Sequence, residues 1–532
     1  MSGLEGTGLL TKLGFRRDRI MMPCWIYLLT ATAVGTAYGS RATYSTLAKR
    51  LEFGATVNKN PSLLALYGPV QNPYSVGSVS LWKVGGIAAA LVAVMSILIT
   101  VRHTRADEET GRLELVGAGV VGRYAALTAG VINAITANLV LLVLVSIGLI
   151  ALGLPAGGSI AFALLWCGIG VMFVGVAAVT AQLTTTSRSA NGLAMTVLGG
   201  SYLLRAVGDA GGHDGPTWLT WLSPLGWMAY LRPYAGERWW VLAIAAAFVA
   251  ACLATAFVLI GRRDLGAGLL PDRLGPPSAA TGLRSPLALA WRLQRGALLG
   301  WIAGFAIYGA AIGGVVDSTQ NMLGGKGGRD LLSKLGGHGG IVDAFLTTVM
   351  GIIALLASAY AVQAVLRLRS EETRGLAEPL LSTKVGRIGW AASHIAFAVV
   401  GPAILMAVGG VVIGLMHGLR AHDLGGEFPR VFWSALVQLP AVWVLTGITV
   451  LLFGFVPRIA VAAWGVLGAF LLLGELGPLL ELKQWMMDLS PFTHVPKLPG
   501  AAMRPMPVVW LAVIAAALIA AGLAGFRRRD VG

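Results

Sequence analysis

The sequence has few charged side chains. Only 12% of its 532 residues are Asp, Glu, Lys or Arg, whereas a soluble domain carries about a quarter. Hydrophobic residues make up 56% of the chain, and its mean hydropathy is +0.75. This composition excludes a water-soluble fold for most of the chain and predicts a membrane protein.

Acidic residues are scarcer than basic ones, 24 against 40, which gives a formal net charge of +16. In a soluble protein such an excess would indicate a nucleic-acid partner. In a membrane protein the positions of the cations matter more than their sum, because Lys and Arg set the orientation of the spans. We therefore predict no nucleic-acid partner.

The chain also lacks the common catalytic and nucleotide-binding motifs. No G-x-x-x-x-G-K-[ST] loop is present, and the nearest approach, Gly324–Gly327, has neither the spacing nor the hydroxyl that bind phosphate and Mg²⁺. H-E-x-x-H and G-x-S-x-G are absent as well. Cys24, Cys167 and Cys252 lie in apolar segments without metal-ligand spacing. We predict no catalytic residue, no metal site and no cofactor in this chain, so any ATP used must bind elsewhere.

Long apolar runs are what the sequence does contain. Segments of about 20 apolar residues, the length that crosses a bilayer core, recur from end to end, and about twelve are counted. Arginines cluster at 12–19, 102–123, 262–295, 367–387 and 527–529. With twelve spans and both termini inside, all five clusters are cytoplasmic, as the positive-inside rule requires. The predicted fold class is an all-α polytopic membrane protein with about 12 transmembrane helices.

Three landmarks occur twice in the same order, about half the chain apart. They are Glu108–Glu114 with Arg123 against Glu371–Glu378 with Arg387, Leu222–Leu225 against Leu489–Phe492, and Arg262–Asp264 against Arg528–Asp530. In the first pair the second copy is interpreted as carrying one extra residue. The repeats predict two parallel six-helix halves, 1–264 and 287–532, joined by a proline-rich cytoplasmic linker at 265–286.

The repeated acidic segments are too polar for lipid and are predicted to form short cytoplasmic helices. Their repetition favours a docking element for a cytosolic partner over a solvated connector. A mixed leucine and arginine segment precedes the first span of each half, at 9–17 and 287–295. Each is predicted either to lie against membrane lipid in the headgroup plane or to serve as a simple positive-inside anchor.

The Glu-Glu-Thr-Gly-Arg-Leu-Glu segment, which ends in Val-Gly-Arg between spans two and three, resembles the coupling region of ABC-2 type permeases. The fused form with both halves in one chain resembles actinobacterial exporters of polyketide antibiotics, the tetronasin type. The resemblance implies a bacterial plasma-membrane permease that docks two copies of a cytosolic nucleotide-binding subunit, where ATP and Mg²⁺ bind. The coupling residues that it implies are Glu108, Glu109, Gly111, Arg112, Glu114 and Arg123 in the first half, and Glu371, Glu372, Gly375, Glu378 and Arg387 in the second.

The same resemblance implies a translocation path between the halves, lined by the second and fifth spans of each. The implied residues are Met195, Leu198, Tyr202, Arg205, Tyr360, Trp464, Phe470 and Glu475. Aromatic and methionine side chains suit a large lipophilic or amphipathic substrate, although the same residues also suit helix packing. Glu475 is further interpreted as a gate or cation site.

Two other functions stay open at this point. A proton-driven twelve-helix carrier would typically show G-x-x-x-D-R-x-G-R-R after span two, where this chain has Arg105–Arg112. A lipid-handling membrane protein would need a nucleophile, metal or carboxylate constellation that the sequence lacks. The sequence therefore favours an exporter permease for lipophilic compounds such as polyketide antibiotics or multiple drugs.

Overall fold

The computed structural model describes residues 3–117, 119, 121–210, 216–270, 277–314, 316, 340–471, 473 and 483–529. The chain divides into two compact units, Met1–Gly275 (unit 1) and Pro276–Gly532 (unit 2). The division falls within the segment 265–286 that the sequence predicts as a linker.

Unit 1 consists of helices. They are α1 (Thr7–Arg17), α2 (Met21–Thr43), α3 (Leu47–Asn58), α4 (Pro61–Tyr67), α5 (Val76–Arg102), α6 (Arg105–Glu109), α7 (Arg112–Gly117), α8 (Ala125–Ala151), α9 (Ala156–Leu183), α10 (Ser187–Ala210), α11 (Pro224–Ala229) and α12 (Val241–Gly261). A 3-10 helix, Thr217–Leu222, precedes α11. The long members coincide with the apolar runs, because in lipid a backbone must satisfy its own N–H and C=O groups.

The core of unit 1 forms around α9, whose most apolar window is 78% buried. Helices α5, α8, α10 and α12 pack against it. Glycines on α9 permit this closeness: a Cβ at Gly175 would lie 2.8 Å from the Cβ of Cys252 on α12. Small residues at helix contacts are the usual means of packing helices in a membrane.

Unit 2 is built in the same way. Its helices are α13 (Pro286–Gly313), α14 (Ile341–Thr373), α15 (Glu378–Leu381), α16 (Arg387–Arg420), α17 (Leu424–Leu436), α18 (Leu439–Phe455), α19 (Ala463–Leu471), α20 (Gln484–Met487) and α21 (Pro505–Arg528). The closest helix pair is α18 with α21, where Gly454 faces the backbone of Gly522.

Nine helices within the described ranges are long and apolar enough to cross a membrane, and α1 with α2, bent by 66°, makes a tenth. Helix α10 carries Arg188, Arg205 and Asp209 and is not among the nine, and Pro457–Leu471 is a shorter apolar segment. The fold class predicted from the sequence is confirmed, whereas the count of about twelve spans stays a prediction.

Each unit has an arginine-rich end. In unit 1 the ends of α5, α9 and α12 and the start of α10 meet there around α6. In unit 2 the end of α14, the start of α16 and the end of α21 meet in the same way. The starts of α5 and α9 lie at the opposite end of unit 1, beside α4 and α11.

Candidate functional site

Glu108, in the acidic segment of unit 1, is buried among cations. Its side chain is 4% exposed and forms an ion pair with Arg105 at 3.2 Å. Arg263 donates from Nη2 to Oε2 at 2.8 Å, and the backbone N–H of Gly266 donates to Oε1 at 2.6 Å. We call Arg105, Glu108 and Arg263 the unit 1 lock.

The lock connects three parts of unit 1. Arg105 Nε donates to the carbonyl of Ala181 near the end of α9 at 2.8 Å. Arg263 Nε donates to Gln182 Oε1 at 2.9 Å, and Arg263 Nη1 donates to the carbonyl of Ala267 at 2.9 Å. The segment after α12 is therefore fixed to both α6 and α9.

An equivalent cluster occurs in unit 2. The Glu372 side chain is 2% exposed and pairs with Arg369 at 3.3 Å and with Arg529 at 2.9 Å. We call these three residues the unit 2 lock. In both units a further arginine donates to the backbone of the last lock residue: Arg123 to the carbonyl of Arg263 at 2.7 Å, and Arg387 to the carbonyl of Arg529 at 2.9 Å.

These contacts correct the alignment of the two acidic segments. Arg105 corresponds to Arg369 and Glu108 to Glu372, and both pairs differ by 264 in residue number. The same difference relates Gly111 to Gly375, Glu114 to Glu378 and Arg123 to Arg387. The interpretation of one extra residue in the second copy is therefore wrong. It came from matching the Glu-Glu-Thr letters, whereas Glu371 corresponds to Asp107.

The two glycines support this register. Gly111 has φ +71° and Gly375 has φ +68°, in the left-handed region where a side chain is strained. In each copy the glycine N–H donates to the carbonyl of the lock glutamate, Glu108 or Glu372, at 3.0 Å. The glycine thus ends the helix at the same position in both units.

The acidic residue that precedes each lock glutamate, Asp107 or Glu371, also lies next to cations. Asp107 accepts from Arg17 Nη1 at 2.6 Å and from Arg112 at 3.3 Å. Its counterpart Glu371 accepts from Arg367 Nε at 3.0 Å and lies 3.4 Å from His394. Both side chains face cations of their own unit.

The residues beyond the lock are the ones that remain at the surface. In unit 1 they are Glu109, Thr110, Arg112 and Glu114, and in unit 2 they are Thr373, Arg374, Leu376 and Glu378. Arg112 is 60% exposed and Leu376 is 55% exposed. Of the predicted coupling residues, Glu108, Glu371 and Glu372 are buried, and Arg123 and Arg387 hold backbone of their own unit.

Glu109 joins the acidic segment to α10. Its Oε2 accepts from the backbone N–H of Ser187 at 2.9 Å and from the Ser187 hydroxyl at 2.5 Å. Ser187 is the first residue of α10. A carboxylate at a helix N-terminus accepts from an N–H that would otherwise lack a partner. Its negative charge also interacts favourably with the positive end of the helix dipole.

Sequence reasoning missed the arginines of both locks. Arg105 and Arg369 were noted in basic clusters, and Arg263 and Arg529 in the repeated landmark Arg262–Asp264 and Arg528–Asp530, without any pairing to the acidic segments. The available signal was the shared pattern R-x-[DE]-E-x-x-G, which begins at Arg105 and at Arg369.

The predicted path residues of unit 1 all lie on α10. Met195 is partly buried against the core and Leu198 is buried. The Tyr202 hydroxyl donates to the carbonyl of Leu66 at 2.5 Å, and Arg205 Nη2 donates to the carbonyl of Ala65 at 2.9 Å. Tyr202 and Arg205 thus hold α4 against α10.

The described path residues of unit 2 lie on two helices, α14 and α19. Tyr360 is 1% exposed and packs against Gly401 of α16, Trp464 is 42% exposed, and Phe470 lies edge-on to Phe492. Glu475 lies outside the described residues. Tyr360 and Phe470 thus take part in the packing of unit 2, whereas Trp464 is exposed.

A cavity of about 670 Å³ occupies the end of unit 1 opposite the lock. Its apolar wall includes Tyr67, Trp82, Phe162 and Leu165. Tyr234 also lines it and shares a 2.9 Å hydrogen bond with Ser159. Burial raises the pKa of Tyr234 to about 12, so this phenol is neutral at physiological pH. Within the described ranges, no group of three His, Cys, Asp or Glu side chains is placed to bind a metal ion.

Comparison with known proteins gives the family. A family profile described as "Multidrug efflux system permease Rv1217c, C-terminal domain" matches residues 11–259 and 283–527. The multidrug efflux system permease protein Rv1217c of Mycobacterium tuberculosis (strain ATCC 25618 / H37Rv) is 43% identical over 532 residues, which is all of this chain and 96% of that relative. With its many apolar helices and these full-length matches, the chain belongs to the Rv1217c family of multidrug efflux system permeases.

Proposed function

We propose that this chain is the membrane-spanning subunit of an ABC exporter for lipophilic and amphipathic compounds, and that ATP is hydrolysed by separate subunits. The observation that carries the proposal is the pair of equivalent locks. Each fixes a short polar segment at the arginine-rich end of its unit and leaves most residues beyond the lock exposed.

Two equivalent segments call for a partner with two equivalent surfaces. Two copies of one cytosolic nucleotide-binding subunit, each with bound ATP and Mg²⁺, meet that requirement. Because arginines concentrate at one end of each unit, we place both arginine-rich ends in the cytoplasm, together with both chain termini. We place this chain in a bacterial plasma membrane.

The locks explain how docking at a surface segment is transmitted into the membrane. In unit 1 the buried ion pairs of Glu108 and the additional hydrogen bonds from Arg263 and Gly266 hold the segment as one rigid piece. In unit 1 the segment is also bonded to the first residue of α10 through Glu109. A movement of the docked subunit therefore reaches α10, which carries Met195, Leu198, Tyr202 and Arg205, the proposed unit 1 side of the path.

The proposed coupling residues divide accordingly into two groups. Glu109, Arg112 and Glu114 in unit 1, and Leu376 and Glu378 in unit 2, contact the ATPase. Glu108, Glu371 and Glu372 position these segments from inside the unit. Tyr360, Trp464, Phe470 and Glu475 remain the proposed unit 2 contribution to the path.

Co-expression tests the proposal. The chain is purified with the ATPase encoded by a neighbouring gene, and lipophilic compounds are tested for stimulation of ATP hydrolysis. In proteoliposomes, uptake of a stimulating compound is then measured with the proton gradient collapsed by an ionophore. We expect a stable complex and uptake that requires ATP.

Arg112→Glu with Leu376→Asp provides the specific variant, and Lys49→Glu, a charge reversal at an exposed position on α3, is the control. The double variant is expected to lose the ATPase and the control to keep it. Uptake that follows the proton gradient and ignores ATP would contradict the proposal and favour a proton-driven carrier.

A further inference from the structure

The unit 1 cavity combines an apolar wall with buried charge. Apolar and aromatic side chains from α4, α5 and α9 form most of its surface. Its volume of about 670 Å³ lies within the roughly 300–1,000 Å³ that is usual for sites that bind drug-sized molecules. This part of the cavity suits the hydrocarbon or ring body of a lipophilic compound.

The charged groups in the wall are two guanidinium groups and one carboxylate. Arg205 and Asp209 lie on α10 and form an ion pair at 3.6 Å, while Arg232 comes from the turn after α11. Since the tyrosines in the wall are neutral at physiological pH, the cavity carries one net positive charge. That charge belongs to Arg232, because Asp209 balances Arg205.

Two hydrogen-bond donors of the arginines in this wall lack an acceptor among the described residues. The Nε atoms of Arg205 and Arg232 are both buried and have no hydrogen-bond partner among the described residues. A buried donor without an acceptor is costly, and a charged donor more so. Arg205 is otherwise held in place by the carbonyls of Ala65 and Leu66, at 2.9 and 3.0 Å. Both Nε atoms are also closed off from the cavity, so a bound anionic group would balance the charge of Arg232 without bonding to them.

We propose that this cavity binds amphipathic organic acids, with the carboxylate beside Arg232 and the apolar body against Trp82 and Phe162. The site lies towards the other end of α5 from the lock: Trp82 precedes the helix end at Arg102 by 20 residues, about 30 Å along the axis. Its placement on the outer side of the membrane rests on the proposed function. There it holds an exported acid after the acid has crossed the membrane.

Binding is tested on the purified chain in nanodiscs without any ATPase. The probe is dansylated undecanoic acid, and its methyl ester is the neutral comparison with the same apolar body. Dansyl fluorescence titration is expected to show the acid binding about tenfold more tightly than the ester, the gain typical of one charge-assisted hydrogen bond. Empty nanodiscs give the partition background for both probes.

Two variants locate the site. Arg232→Gln is expected to remove the preference for the acid, because it removes the net charge. Gly85→Leu is expected to weaken both probes, because Gly85 lines the cavity and the nearest atom to an added Cβ is 4.0 Å away. Lys49→Gln, which removes an exposed charge outside the cavity wall, should keep the preference.

Equal affinity for acid and ester in the unchanged chain would overturn the proposal. A preference that survives Arg232→Gln would overturn it too, and so would unchanged affinity for both probes in Gly85→Leu. The binding assay contains no nucleotide and no partner, so failure to find an ATPase complex leaves its result unaffected. Likewise, ATP-driven export of other compounds by a chain without the acid preference would contradict only this site.

Discussion

Glu108 is the residue on which the arginine-rich end of unit 1 depends. Its side chain is 4% exposed and faces two arginines and a backbone N–H. Burying charges is costly, and the cost is balanced only while the partners are present. Loss of one member leaves the others buried without compensation, which is worse than losing an exposed ion pair.

We therefore expect Glu108→Gln to destabilise the purified protein by about 3 kcal/mol, the usual cost of breaking a buried ion pair from one side. The measurement is thermal unfolding in detergent, followed by tryptophan fluorescence. Glu114→Gln, at an exposed position in the same segment, is the matched control and should unfold like the unchanged protein.

Glu372→Gln should destabilise the protein in the same direction but by less, because Arg369 and Arg529 are 26% and 17% exposed, whereas Arg105 and Arg263 are 0% and 6% exposed. If either glutamine variant unfolds at the temperature of the Glu114→Gln control, the corresponding lock is not a structural element of its unit.

Glu109 has a different role, because it is exposed and bonded to the first residue of α10. We expect Glu109→Ala to change the melting temperature little but to uncouple the ATPase. Basal ATP hydrolysis should persist, and its stimulation by substrate should fall several-fold. Thr110→Ala, the adjacent exposed position, is the control. Unchanged stimulation in Glu109→Ala would rule out transmission through this contact.

At the scale of helices, packing depends on glycine wherever two backbones meet. Gly454 of α18 faces the backbone of Gly522 on α21, and a Cβ there would overlap that backbone. A backbone cannot move aside as a flexible side chain does. Gly465 on α19, by contrast, has no atom within 4 Å of an added Cβ.

Gly454→Leu is therefore expected to lower the yield of monodisperse protein strongly, whereas Gly465→Leu should be tolerated. Size-exclusion chromatography of fluorescently tagged protein provides the comparison. Equal profiles for the two variants would mean that α18 and α21 are not packed at Gly454.

The helices themselves follow from the sequence, because long apolar runs leave the backbone no alternative in lipid. The register of the acidic repeats does not follow in the same way. The two acidic segments can be aligned on Glu-Glu-Thr or on their glycines, and the contacts of the arginines decide between these two alignments. Arg263 lies 155 positions from Glu108, so nothing local in the sequence indicates their pairing.

Burial is the other property that the sequence did not predict. An acidic residue next to arginines is normally solvent-exposed. Glu108, Glu371 and Glu372, which the repetition and the family resemblance imply as docking residues, are instead buried. Tyr360 is similar, because an aromatic residue in a span is equally suited to a path or to packing, and the structure places it against Gly401.

For the whole molecule, the exposed parts of the two docking segments differ by substitution, with no insertion between them. In the corrected register Glu109 corresponds to Thr373, and Arg112 corresponds to Leu376. Unit 1 thus exposes charges where unit 2 exposes a hydroxyl and an apolar side chain. Two identical ATPase subunits would meet two different surfaces.

This difference predicts that the two sites can be weakened separately. Leu376→Asp should disrupt the unit 2 surface by placing a charge in an apolar contact, while the unit 1 surface stays intact. Native mass spectrometry of the complex should show the number of ATPase subunits falling from two towards one. Glu378→Gln is the milder control in the same segment. Retention of both subunits by Leu376→Asp would contradict an apolar contact at this site.

Site-specific cross-linking tests the docking of an ATPase most directly. A benzophenone side chain is placed at Arg112, at Leu376 or at Lys49 in an ATP-hydrolysing complex, and light-dependent adducts are identified by mass spectrometry. We predict adducts with the ATPase from Arg112 and Leu376 and none from Lys49, which belongs to the opposite end of unit 1. ATPase adducts from Lys49, or none from either docking segment of an active complex, would contradict the account.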